Sequence, residues 1–181
     1  LAANSLDAVV LAQLDPGAYT AQVSGTGGKT GVALVELYDV DTVAAFAPQK
    51  LVNVATRGVV GTGENILIAG FVVSGSTSKK LLIRGIGPTL GGLGVTGALA
   101  DPVLQIIRSD RTVVRENDNW EVGNDSVLVT TATTKVGAFP LAAGSKDAVL
   151  LINLPPGTYS ATVSGVGGTT GQGLIEVYEL P

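Results

Sequence analysis

The stretch Leu141–Leu180, LAAGSKDAVLLINLPPGTYSATVSGVGGTTGQGLIEVYEL, occurs twice in this chain. Its second copy is Leu1–Val40, LAANSLDAVVLAQLDPGAYTAQVSGTGGKTGVALVELYDV, at a constant offset of about 140 residues. About 23 of the 40 ungapped positions are identical, too many to come from biased composition. A duplicate at each end implies one whole repeat, residues 46–181, preceded by the tail of another, residues 1–45. That organisation carries more functional information than any single residue.

Working outward from the stretch, Asp147–Leu154 reads as a strand around the apolar run Ala148–Ile152. Tyr159, Ala161 and Val163 alternate with Ser160, Thr162 and Ser164, and Leu174–Leu180 closes the chain. Alternation with period two marks half-buried strands, so a three-stranded meander is expected here. Its copy is expected at Asp7–Leu14, Tyr19–Ser24 and Val32–Val40, where three strands alone are marginal and must dock on something. Asp41–Lys50, with Pro48, reads as a linker. Between the copies lie a short strand at Leu51–Ala55, glycine turns at 58–63, and the run Ile66–Val73, read as a central core strand. Lys80–Ile86 is the next strand, and Gly85–Gly97 is a loop with room for a helical turn at Thr89–Leu93. Val103–Ser109 and Thr112–Glu116 read as a hairpin closed at Asp110–Arg111, and Ser126–Thr131 as a further strand. Short strands with turn signals every 8 to 12 residues define the fold class as an all-β sandwich or jelly roll.

Composition bounds the function. The chain has 181 residues, 45% of them hydrophobic and only 14% charged, with 25 glycines. This suffices for a core without metal or disulfide staples, and the low charge suits a surface packed on copies of itself. A net charge of -4, with no basic cluster beyond pairs such as Lys79-Lys80, argues against nucleic acid. Cysteine and histidine are absent, which removes thiolate and imidazole chemistry. No apolar run reaches a membrane span. The start at Leu1, without methionine or a basic leader, reads as a mature or excised piece.

Two resemblances enter on particular residues. Leu154-Pro-Pro-Gly-Thr-Tyr-Ser-Ala-Thr-Val-Ser-Gly165 resembles the closing strands of bacterial pre-peptidase C-terminal domains, and Ser109–Asp118 resembles the same family's hairpin ending in Asn-Asp. Leu51–Gly58 and Leu67–Gly75 resemble tandem repeats of very large secreted bacterial surface proteins, a likeness that covers nearly all of the chain. Both imply an extracellular or cell-surface β-sandwich without catalysis of its own. Arg108 and Arg111 depart from the pre-peptidase pattern at positions usually acidic or glycine, where two cations would repel a divalent ion.

Each candidate chemistry in the sequence competes with a plain structural role. Gly25-Thr-Gly-Gly-Lys-Thr30 looks like a phosphate loop, but Val23 stands where that motif needs glycine, Thr169 replaces Lys29 in the copy, and a strand follows. Gly85-x-Gly87 fails as a dinucleotide fingerprint because Pro88 and Leu90 follow. The oxygen-rich cluster Asn117, Asp118, Asn119, Glu121, Asn124 and Asp125, with Asp101 as a neighbour, could hold calcium; its plainer reading is a set of Asx turns. Asn124-Asp-Ser126 also matches a glycosylation sequon. Asp7 and Asp147 recur at strand starts, as fold-serving residues do. Tyr19, Tyr38, Tyr159, Tyr178 and Trp120 could form a carbohydrate platform, but duplicated tyrosines more often pack in cores. No nucleophile elbow occurs, and no enzyme is expected.

The reading is therefore a structural, self-assembling module of an extracellular filament, stalk or adhesin. It would associate by strand complementation or end-to-end packing with copies of itself or adjacent repeats. Val9, Leu11, Leu14, Tyr19, Val23 and Leu34 are the expected assembly residues, and no cofactor is required. The alternative is a carbohydrate- or calcium-dependent targeting domain of a secreted hydrolase.

Overall fold

Which face of each strand is apolar decides the architecture of residues 52–181. The structure, a computed structural model, describes residues 4–39 and 51–181, and the chain divides into two units, Leu1–Leu51 and Val52–Pro181. The second unit contains β1 (Asn53–Val60), β2 (Leu67–Val73), β3 (Lys79–Ile86), α1 (Pro88–Gly92), β4 (Pro102–Arg108), β5 (Val113–Asn117), α2 (Ser126–Lys135), β6 (Ala148–Leu154), β7 (Gly157–Gly165) and β8 (Gly171–Glu179). They form two four-stranded antiparallel sheets, ordered β1-β8-β3-β6 and β2-β7-β4-β5. This is the all-β sandwich expected from the strand and turn spacing.

The main core lies between the sheets. Leu81 and Ile83 of β3, Leu150 of β6 and Ile175 of β8 meet Leu104 and Ile106 of β4 and Tyr159, Ala161 and Val163 of β7. β3 is buried on both faces because Leu82 points the other way, into a second cluster with Trp120, Val129, Ala132, Val149 and Tyr178. That cluster is the seat of α2 on the outer face of the first sheet.

In this unit four expectations change. The last three strands exist where expected, but they are not a meander: β6 pairs with β3, β7 with β2 and β4, and β8 with β1 and β3. The chain alternates between sheets, so none of the three hydrogen-bonds to its sequence neighbour. Ile66–Val73 contributes β2, an edge strand and not a central one, with Ile68 and Val72 exposed on its outer side. Lys79–Ile86, by contrast, is an interior strand buried on both faces over Leu81–Ile86. β1 runs on through Gly58 to Val60 instead of ending at Ala55, because Gly58 pairs with Gly173 of β8.

The fourth change is at Ser126–Thr131, which is helical. Its β-branched composition suggests a strand, but Asp125 is an N-cap whose carboxylate accepts from the amides of Val127 and Leu128 at 3.0 and 3.1 Å. Thr130, Thr131 and Thr134 then satisfy their hydroxyls on carbonyls four residues back, so the threonines do not oppose the helix. Other readings hold. The hairpin of β4 and β5 closes at Asp110–Arg111, with Arg111 at φ 70° and Asp110 accepting from Thr112 N at 2.9 Å. That bond holds the Asp110 carboxyl below its usual range. The helical turn near Thr89–Leu93 is α1.

In the first unit, residues 4–39 contain one 3-10 turn, Thr26–Gly28, and no strand. The strands expected at Asp7–Leu14, Tyr19–Ser24 and Val32–Val40 have no ladder, and the folded copy supplies the reason. Segments of this type pair only with strands such as β1 to β4, never with one another. Leu1–Ala3 and Val40, together with the expected linker Asp41–Lys50, lie outside the described residues.

Replacing the cap, Asp125→Ala, should lower stability by about 1 kcal/mol, read as a shift of the urea midpoint with an unchanged slope. No shift would mean that α2 is held by packing on Trp120 alone.

Candidate assembly interface

The two copies can be compared bond by bond. In the folded copy Tyr159 turns back so that its hydroxyl donates to Pro155 O at 3.0 Å, fixing the corner where the chain leaves one sheet for the other. In residues 4–39 the Tyr19 hydroxyl donates to Asp15 O at 2.8 Å. The glycine turns also match: Gly27 and Gly28 have φ of 67° and 74°, Gly167 and Gly168 of 62° and 77°, a left-handed region that side chains disfavour. Ser145 Oγ donates to Asp147, and Ser5 Oγ donates to Asp7. Tyr178 donates to Glu176 Oε1 at 2.7 Å, and Tyr38 to Glu36 Oε1 at 3.0 Å. Residues 4–39 thus hold the corners of the folded copy without its ladders.

The difference is cover. Val149 and Val163 are fully buried and Tyr159 is 1% exposed, whereas Val9 is 79%, Val23 59% and Tyr19 59% exposed. Leu11 and Leu14 are likewise exposed, and Leu14 matches the buried Leu154. Leu34 is exposed too, but its counterpart Leu174 is only half-buried. The core position is the next one, since Val35 corresponds to the fully buried Ile175. Val10, the counterpart of buried Leu150, is equally relevant. Alternation in sequence could not decide which of Leu34 and Val35 faces inward, because both are apolar.

Composition also hid a charged component. Arg84 of β3 is fully buried, and its Nε donates to Glu176 Oε2 at 2.8 Å. A second nitrogen donates to Phe139 O at 2.6 Å, and the guanidinium lies over the Phe139 ring at 4.3 Å. Glu176 is the residue opposite Arg84 in the β3–β8 register. Burial, and then the bond to Glu176, push the Tyr178 hydroxyl up to about 12. In residues 4–39 the carboxylate of this group is Glu36 and the phenol is Tyr38, whose hydroxyl the same kind of bond raises above its ordinary value. The repeated Glu-x-Tyr marks the pair in sequence but does not say which face of the strand it occupies.

Residues weighed for other chemistry are occupied in the structure. Asn117 donates to Asn119 O and Val122 O and accepts from Val149 N, and Asn124 donates to Trp120 O and Val149 O. Glu121 accepts from Gly144 N, Asp125 caps α2, and Asp101 pairs with Lys146. Apart from Asp101, whose Oδ1 is buried without a hydrogen-bond partner, these groups serve backbone amides and carbonyls, and among the described residues no three acidic, histidine or cysteine side chains gather around a point. Asp147 is buried and ties Gly87 N and Thr89 to the start of β6. Tyr159, Tyr178 and Trp120 are interior, so their rings do not present a surface platform. A cleft of about 340 Å³ between α2 and Pro140–Leu141, walled by Trp120, Val129 and Thr133, has no titratable side chain in its lining.

No family model and no curated protein matches the chain. Among solved structures it is similar to the pre-peptidase C-terminal domain of a collagenase from Bacillus anthracis, a domain of the kind that Leu154–Gly165 resembles. The likeness has 12% identity, a TM-score of 0.42, and covers 70% of this chain and 89% of that one. The sandwich assignment rests on the ladders themselves.

Two measurements probe the buried group. Arg84→Met leaves the Glu176 carboxylate buried without its cation and should cost about 3–5 kcal/mol, whereas Arg84→Met with Glu176→Leu should recover most of it; chemical denaturation of both variants reads the difference. Because the folded chain holds the Tyr178 proton up to about pH 12 while the unfolded chain releases it near 10, its contribution is complete below pH 10 and fades as pH rises through 12. Tyr178→Phe should flatten the fall in stability over that window relative to the parent.

Proposed function

We propose that this chain is a structural module of an extracellular bacterial filament, stalk or adhesin, in which β-sandwiches associate through three-strand closing elements such as residues 4–39. The observation that carries this is the duplicate itself: corners already set as in β6–β8, and apolar side chains exposed that are buried in the other copy. Fully burying one Val or Leu side chain is worth roughly 1.5–3 kcal/mol. Several of them left in water on a chain whose net stability is of order 5–15 kcal/mol are a strong drive toward a partner. Exposed apolar patches of this kind mark association sites.

The extracellular setting comes from the resemblance of Leu51–Gly58 and Leu67–Gly75 to repeats of large secreted surface proteins. Among the described residues no helix is long and apolar enough to cross a membrane. The low charge content fits a chain most of whose surface meets other protein.

Sedimentation velocity over a concentration series tests the proposal. Residues 1–181, whose exposed apolar segments lack a receiving unit, should associate non-specifically through them with rising concentration, and a chain beginning at Pro48 should stay monomeric. Monomers in both cases, with no binding of an apolar dye by the longer chain, would remove assembly as the function.

A further inference from the structure

The geometry points to a specific partner for residues 4–39: a five-stranded unit of the same module type, equivalent to β1–β5, tethered ahead of them in the same polypeptide and carrying a buried arginine that receives Glu36. This inference rests on the reading of residues 4–39 as an assembly element and adds to it what fills the gap and in which register.

The folded copy fixes the placement. Its three strands occupy three separate slots: β6 beside β3, β7 between β2 and β4, and β8 between β1 and β3. By the constant offset, residues 8–14 belong beside a β3-type strand, 17–25 between β2- and β4-type strands, and 31–39 between β1- and β3-type strands. A flat sheet edge could not supply this, since two of the slots are internal and lie in different sheets. Simple addition of a strand to the rim of another sandwich is therefore not the mode of contact.

Tethering follows from the ladders. Without β6–β8, β4–β5 is the one ladder left to β1–β5; β1, β2 and β3 lose every hydrogen-bonded neighbour. Three strands with apolar faces and unpaired amides cannot wait in water as a preformed receptor, because a hairpin alone does not make a stable sheet. The receiving unit and the closing unit must fold together, and a covalent link supplies the high effective concentration that this needs.

A second intact copy of this module does not fit the description. Its slots are filled by its own β6–β8, attached to the same chain. The duplicate is also the wrong shape for them: Ala33 stands where β8 has Gly173, and a Cβ at that position would lie 2.7 Å from Val60 Cγ2. The receiving unit must have a smaller side chain than Val60 there.

Charge completes the specification. Glu176 and Tyr178 reach Arg84 on the outer face of the first sheet, and Glu36 with Tyr38 already forms the acceptor half of that group. The β3-type strand of the receiving unit must therefore present an arginine directly opposite Glu36, since a carboxylate in that slot without its cation would be buried and unpaired.

The test is one polypeptide in which residues 52–140, with Val60→Ala to admit Ala33, precede the full chain 1–181. Hydrogen exchange is measured across residues 8–37, and the amides of the intact sandwich 52–181 serve as the internal control for folding. The fusion should be monomeric, with exchange in segments 19–25 and 32–37 slowed at least 100-fold relative to 1–181 alone. Glu36→Lys in the fusion should abolish that protection, and Arg84→Glu in the added unit combined with Glu36→Arg should restore at least a tenth of it. Protection that ignores Glu36→Lys would overturn the arginine pairing while leaving assembly intact. Unprotected residues 8–37 in the fusion would overturn tethered closure; if 1–181 still associates in sedimentation, the proposed function survives that loss, and if it does not, both fall.

Discussion

Of the six ladders in the sandwich, five run through β6, β7 or β8, and none joins two of these strands to each other. β7 and β8 are interior strands of opposite sheets, and the Pro155-Pro156 and Gly165–Thr170 crossings carry the chain from one sheet to the other and back. The segment β6–β8 is in effect the pin that holds two half-built sheets face to face. A sequence with this property cannot make a stable structure from the pin alone. Its backbone amides and apolar side chains are complementary only to strands found elsewhere. The second copy in residues 4–39 shows the consequence, with local turns intact and the apolar side chains uncovered.

Much of the fold was legible because local chemistry and tertiary demand agree. The alternation at Thr158–Ser164, the Asp110–Arg111 turn and the glycines at 165–171 each specify one local conformation, and the strands that flank them fall where expected. The misreadings have a common physical cause. Periodicity reports that a face is apolar, not which neighbour covers it, so Ile66–Val73 read as central although it lies at an edge, and a crossover read as a meander. At Ser126–Thr131 β-branched composition favoured a strand, and the capping carboxylate of Asp125 outweighed it once Trp120 and Tyr178 offered the helix a seat.

The residues proposed for assembly show the same division. Val9, Leu14, Tyr19 and Val23 could be named from the apolar pattern, since their counterparts are buried. Glu36 could not, because an acidic residue in a strand ordinarily marks the solvent face. Only the position of Glu176, 4% exposed against a fully buried Arg84, shows that this carboxylate faces protein. The outer face of the first sheet is not a solvent face because α2 and the segment through Leu141 cover it. Covering that face is what allows a charge pair to be buried there.

A buried ion pair contributes little net stability against well-packed apolar residues, so its presence calls for another reason. Register supplies one. The inward residues of β8 are Gly173, Ile175 and Val177, and a slip of two residues along β3 would still set apolar groups into the inter-sheet core. The apolar pattern therefore discriminates poorly between registers two apart, whereas a slip of one is excluded because it turns every side chain over. In the observed register Glu176 is opposite Arg84, with Tyr178 opposite Leu82 and Leu174 opposite Ile86. A two-residue slip would place the carboxylate opposite Leu82 or Ile86 and leave both charges buried without a partner, a penalty of several kcal/mol. The pair thus separates the true alignment from its nearest apolar competitors. Were modules of this kind arrayed as proposed, such a discriminator would be needed at each junction, and Glu36 and Tyr38 are both retained in the duplicate.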